Sequence, residues 1–233
     1  MTAGHGLVLR GVAPPLAWHD FSVAAFDMDS TLITIECVDE IADFAGRKAE
    51  VAAITEAAMR GEIADYKESL RRRVALLEGL GVDALQRVLD ERLRLTDGAA
   101  ALLAACQAHG LTTLLVSGGF TFFADRVAER LGIDHVRANV LAVVGGRLTG
   151  RLVDQPWGDI VDGVMKRQTL LELCARLGVP PSRAIAVGDG ANDLPMLGVA
   201  GLSVAFRAKP AVREQAMVSI ERGGLDRLLE VVV

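Results

Sequence analysis

The chain has 233 residues, 51% of them hydrophobic and 24% charged, enough apolar side chain for one large core or a core with a modest insert. Its formal net charge of −5 and its 4% of aromatic residues argue against a nucleic-acid partner, which a basic face would attract and stacking rings would read. No stretch is long enough to span a membrane without a charge or a glycine, and residues 1–15 hold no apolar signal segment.

Residues 1–20 carry Gly4, Gly6, Gly11, Pro14 and Pro15 and read as an irregular leader. The apolar run Val23-Ala24-Ala25-Phe26 reads as a buried strand that opens into Asp27-Met28-Asp29-Ser30-Thr31. From Glu36 to Leu95 helical periodicity takes over, with amphipathic pieces at 38–45, 48–59, 66–78 and 83–94 punctuated by Gly46, Gly61, Gly79 and Gly81. These residues form an expected small helical bundle, a cap inserted after the first strand at 36–95, with residues 1–35 and 96–233 as the core.

Beyond the insert, Thr96-Asp97 is expected to cap a helix at 98–108, and 111–116 to form a buried strand ending in Ser117-Gly118-Gly119-Phe120. A helix to Leu131 follows, then strands 136–144 and 147–153 about the turn Gly145-Gly146. A long helix is expected at 161–177, a strand at 184–187, a helix at 193–197, a strand at 202–206, and helices near 211–217 and 225–231. Repeated strand-then-helix order implies an α/β fold: a Rossmann-like, mostly parallel sheet with helices on both faces.

Asp27 and Asp29 emerge at the carboxyl end of a strand, where open α/β sheets bind ligands. Two carboxylates so close repel unless a cation lies between them, and oxygen ligands suit magnesium. A plain turn with solvated carboxylates is the competing reading. An EF-hand loop fails, because the sixth and twelfth positions from Asp27 are Leu32 and Val38. Ser117-Gly118-Gly119 offers a hydroxyl and open backbone N–H groups to phosphate oxygens, or is a simple glycine turn. Lys166, early in its helix, is a point charge for phosphate or a solvated lysine. Gly188-Asp189-Gly190-Ala191-Asn192-Asp193 is a poor dinucleotide fingerprint, since Asp193 replaces the third glycine and Asp189 repels a pyrophosphate. Cys37, Cys106 and Cys174 fit no disulfide or metal spacing and point to a reducing cytoplasm, and the scattered histidines support neither zinc nor a Ser-His-Asp triad.

Taken in order, Asp27-x-Asp29-x-Thr31, Ser117, Lys166 and Gly188-Asp189-x-x-Asn192-Asp193 resemble the motif set of the haloacid dehalogenase superfamily. Glu36-Cys37-Val38-Asp39-Glu40, Met59-Arg60-Gly61, Ser69-Leu70-Arg71-Arg72-Arg73 and Ser117-Gly118-Gly119-Phe120-Thr121 resemble its phosphoserine phosphatase branch, over roughly residues 21 to 220. The resemblance implies a magnesium-dependent hydrolase of O-phospho-L-serine, acting at the last step of serine biosynthesis. Asp27 would be the nucleophile and Asp29 the general acid and base. Magnesium would be held by Asp27, the Asp29 carbonyl and Asp189, with Asp193 acting indirectly. Ser117, Gly118, Lys166 and Asn192 would hold the phosphate, Glu36 the ammonium and Arg73 the carboxylate, with Met59 and Tyr66 as apolar walls. The family often has phenylalanine near Tyr66 and one residue fewer after the methionine, so Arg72 competes with Arg73. The expected partner is a small molecule, for a monomer or homodimer with no membrane or nucleic-acid partner. Another small phosphomonoester, transfer to homoserine, or a non-catalytic phospho-ligand sensor are the alternatives.

Overall fold

The computed structural model describes residues 6–59, 62–63 and 65–233, with the side chain of Met59 also outside the description. Among them one sheet runs through β1 (Leu7–Leu9), β2 (Val23–Phe26), β3 (Thr112–Phe120), β4 (His135–Val144), β5 (Arg147–Val153), β6 (Ala184–Gly188), β7 (Leu202–Phe206) and β8 (Val218–Ile220). Its order is β1-β8-β7-β6-β2-β3-β4-β5. Pairing is parallel from β8 across to β4 and antiparallel at the two edges, β1 on β8 and β5 on β4. The chain therefore leaves β2 toward β3 on one side and returns as β6 on the other. That reversal opens a crevice at the carboxyl ends of β2 and β6.

The inner strands are short, apolar and buried along their whole length, as strands covered on both faces must be. Their pleat sorts side chains between two layers. Ala24, Phe26, Ile185, Val187 and Val204 face one core with α5 (Ala99–Ala108) and α6 (Thr121–Leu131). Val23, Ala25, Ala184, Ala186 and Ala205 face the other with α7 (Gly163–Leu177), α8 (Leu194–Leu197) and α9 (Pro210–Gln215).

Between β2 and β3 lie α1 (Cys37–Phe44), α2 (Lys48–Met59), α3 (Tyr66–Ala75) and α4 (Asp83–Arg87), the last running into a wider turn, Val88–Arg92. The connections into and out of these helices pair with each other: Thr34 N–H donates to Arg94 O and Thr96 N–H to Leu32 O. A second tie joins Gly79–Val82 to the β4–β5 hairpin through Gly79 N–H to Leu148 O, Leu148 N–H to Leu80 O and Val82 N–H to Gly146 O. Gly145 and Gly146 both have positive φ, as the sharp hairpin turn requires.

Several expectations are corrected. The leader is not irregular throughout: Leu7–Leu9 pair with β8, and Trp18 is buried with its ring stacked on His109. A three-residue strand among glycines carries too little alternation to be read. Thr96-Asp97 does not cap α5; the cap is Gly98 at φ +78, and Asp97 O instead accepts the Leu225 N–H. Strand β3 does not stop at Val116 but runs through Ser117 to Phe120, with an irregularity in its pairing with β4 between Val116 and Phe120. Strand β8 lies between the helices expected near 211–217 and 225–231, where no element was expected, and Leu225–Glu230 is a 3-10 segment. No described helix is long and apolar enough to cross a membrane.

Candidate active site

Asp27 follows β2 directly, and its N–H donates to Val187 O on β6 at 3.0 Å, which fixes it over the crevice. The chain then folds back tightly, with Ser30 at φ +55 and its Oγ donating to Glu36 Oε1 at 2.6 Å. From the opposite core layer, α7 brings Lys166, a fully buried lysine. Its Nζ lies 2.6 Å from Asp27 Oδ1 and 2.6 Å from Asp193 Oδ1. Asp162 caps this helix by accepting the Met165 N–H, which sets where the first turn points. After β6, the other Asp193 oxygen accepts the N–H groups of Asp189 and Gly190, both at 3.0 Å. That turn requires glycine at 188, where a Cβ would lie 2.5 Å from the Asp193 carboxylate.

Asp27, Asp189 and Asp193 each present a carboxylate oxygen within 4.8 Å of the others. Three carboxylates against one ammonium leave excess negative charge in a buried cleft, and oxygen donors of this kind suit a hard divalent cation. Asp193 has Lys166 on one oxygen and two N–H groups on the other, so its lone pairs are largely committed. The Asp29 side chain stands outside the group, and its expected contribution was the backbone carbonyl.

Burial raises the Asp27 carboxyl well above its usual range; Asp193 adds to the rise and Lys166 opposes it. Burial would lower the Lys166 ammonium, but Asp193 and Asp27 overcome it and hold the group above its ordinary value. Asp189 is pushed up to about 7 by burial and by Asp193 and Glu36. Asp29 is pushed up to about 8, first by burial and then by Glu36, and its Oδ1 is buried without a hydrogen-bond partner. Burial raises both neighbouring carboxyls, but their partners differ: Asp27 is clasped by the Lys166 ammonium, whereas Asp29 Oδ1 has no hydrogen-bond partner.

Ser117 is buried at the end of β3, and its Oγ accepts the Gly119 N–H at 2.9 Å, leaving the hydroxyl proton free to donate outward. Asn139, buried on β4, donates to Gly118 O at 2.8 Å and accepts the Val161 N–H at 2.9 Å. It ties the glycine segment to the chain entering α7. Sequence reading missed Asn139; an amide inside the apolar run of β4 was the available signal. Asn192 is half-buried in the turn Ala191–Asp193.

Among the inserted helices, Glu36 sits at the mouth as the residue before α1, and surrounding protein raises its carboxyl. Arg73 is half-buried, bonded through Nε to Ser69 O, and its charge acts on Glu36 and Asp39. Arg72 instead pairs with Glu68 at 2.8 Å, with 55% and 45% of the two side chains exposed. Met59 ends α2, but its side chain and the following Arg60 and Gly61 lie outside the described residues. Sequence reading also missed Lys209, whose N–H donates to Asp189 O and whose charge acts on both Asp189 and Glu36. Its position just beyond a strand end was the signal.

The model of the haloacid dehalogenase-like hydrolase family matches residues 24–198, which span every one of these core side chains except Lys209. The chain belongs to that family. This haloacid dehalogenase-like hydrolase is 69% identical to the phosphoserine phosphatase of Albidiferax ferrireducens, over 97% of this chain and 95% of the relative. It is 68% identical to that of a Polaromonas species, over 97% and 96%. A solved phospho-aspartyl intermediate analogue of phosphoserine phosphatase superposes with a TM-score of 0.83 at 36% identity, covering 91% of this chain and 99% of the other. A substrate-bound phosphoserine phosphatase complex gives the same TM-score, identity and coverage. In a hydrolase of this family, a carboxylate held by an ammonium beside a carboxyl that keeps its proton can work as nucleophile and general acid.

Proposed function

We propose that the chain hydrolyses O-phospho-L-serine to L-serine and inorganic phosphate. The observation that carries this reading is the pairing of Asp27, bound to Lys166 at 2.6 Å, with Asp29, whose carboxyl is pushed up to about 8. An Asp27 oxygen attacks phosphorus and forms an aspartyl-phosphate while the bond from phosphorus to the seryl oxygen breaks. Asp29 gives its proton to that departing oxygen, then takes one from a water that attacks the aspartyl-phosphate, releasing phosphate and restoring both carboxyls. The Lys166 ammonium, the Ser117 hydroxyl, the Gly118 N–H and the Asn192 amide offset charge on the phosphoryl oxygens. Asp27, Asp189 and the Asp29 carbonyl, with Asp193 acting indirectly, would hold magnesium, whose positive charge would let a carboxylate approach a phosphate dianion.

The helices between residues 36 and 95 form a cap domain that closes over the substrate. Glu36 takes the substrate ammonium and Arg73 its carboxylate, with Met59 walling the pocket. The partner is this small molecule, and the product serves serine biosynthesis. Three buried free cysteines suit a reducing, cytoplasmic setting. The test is phosphate release from a panel of small phosphomonoesters, with and without homoserine as acceptor. Phosphoserine is expected to be turned over far better than the others, with no transfer to homoserine; a preference for another ester would replace this substrate.

A further inference from the structure

Tyr66 is the first residue of α3, and its ring reaches across to the end of β3. A Cβ at Gly118 would collide with the Tyr66 hydroxyl oxygen, so the hydroxyl rests directly on the glycine segment beside Ser117. The charges of Lys166, Arg73, Asp27 and Asp29 all act on this phenol. The hydroxyl makes no hydrogen bond to the described residues. An apolar wall needs only the ring; a half-buried hydroxyl resting on Gly118 among these charged groups, and bonded to none of them, is available to donate to a ligand. Burial pushes the phenol up to about 12, so it remains an O–H donor at any working pH.

A donor needs an acceptor, which excludes the substrate ammonium, and Arg73 already answers the carboxylate. We propose that the Tyr66 hydroxyl is a further binding donor to the phosphoryl group, brought onto Gly118 by the cap and completing the set begun by Ser117 and Gly118. The proposal rests on the phosphatase reading for its ligand class. Because the donor comes from the cap, the full phosphoryl site exists only when α3 is docked. Docking is held by Lys67 Nζ, 2.7 Å from Asp159 Oδ1, and by the Arg71–Asp159 pair.

The test compares wild type with Tyr66→Phe, which keeps the ring. The readouts are kcat/KM for phosphoserine and the inhibition constant of inorganic phosphate, in the presence of magnesium. Loss of one hydrogen bond to a charged acceptor predicts a drop in kcat/KM of about tenfold and a comparable rise in the inhibition constant. An inhibition constant for phosphate within twofold of wild type overturns the proposal, whatever happens to kcat/KM, because a wall or folding role does not single out the oxyanion. If wild type turned over another phosphomonoester instead of phosphoserine, the substrate reading would fail, while phosphate inhibition measured against that ester would still decide the role of the hydroxyl.

Discussion

Lys166 is the side chain that joins two buried carboxylates of the cleft. It is fully buried between Asp27 and Asp193, and both contacts are 2.6 Å. Lys166→Met would leave two buried carboxylates facing each other, at a cost of about 3–5 kcal/mol. A large drop in the thermal midpoint is expected together with loss of turnover. Asp27→Asn would remove the proposed nucleophile but also relieve the repulsion from Asp193, so turnover should vanish while the melting temperature holds or rises; appreciable residual hydrolysis would remove Asp27 from that role. Asp29, pushed up to about 8, is protonated below that pH and ionised above it. Formation of the aspartyl-phosphate, which needs the proton, should therefore slow as pH rises through about 8, and rapid-quench measurement of the first turnover would detect it. Arg73→Ala should cost phosphoserine far more than an aryl phosphate, because only the former has a carboxylate to clamp. Arg72→Ala should be nearly silent, given its exposed pair with Glu68. The residue types were legible from spacing: Asp27, Asp29, Ser117, Lys166, Asp189 and Asp193 were all singled out from sequence. Which arginine points inward was not, since Arg72 and Arg73 are adjacent on one helix and only its docking decides their faces.

At the scale of elements, α3 is joined to the core segment leading into α7. Lys67 Nζ lies 2.7 Å from Asp159 and 3.8 Å from Asp162, and Arg71 also pairs with Asp159. Asp162 caps the helix that carries Lys166, so the same short segment positions the core ammonium and holds α3. These pairs are partly exposed, each worth roughly 0.2–1 kcal/mol. Asp159→Asn should raise KM for phosphoserine by a few-fold at low salt, and rising ionic strength should narrow the gap between variant and wild type. Equal KM values at low salt would show that the pairs do not hold α3 in place. The helical segments between residues 36 and 95 were legible because amphipathic periodicity is local, and 48–59 matches α2 to the residue. The strand character of Ser117 to Phe120 was not legible, because two glycines look like a turn until a neighbouring strand pairs with them.

For the molecule as a whole, the sheet order brings the ends of β2, β3 and β6 side by side, and the cleft collects more carboxylate than ammonium. Removing divalent metal with a chelator should abolish activity and adding magnesium should restore it; activity untouched by chelation would take the metal out of the reaction. The sequence by itself determined the alternation of strands and helices, the run of helices that follows Val23–Phe26, and the set of acids, hydroxyl and lysine available for phosphate chemistry. Those features depend on spacing and periodicity within a few turns of chain. Tertiary structure alone decided that Lys166 meets Asp27 across 139 residues, that Asn139 ties down the glycine segment, and that Leu7–Leu9 close the sheet edge. It also decided that burial and Glu36 raise the Asp29 carboxyl while Tyr66 lays its hydroxyl on Gly118. The physical reason is that burial and charge at a site are sums over neighbours far apart in the chain, and no local pattern records them.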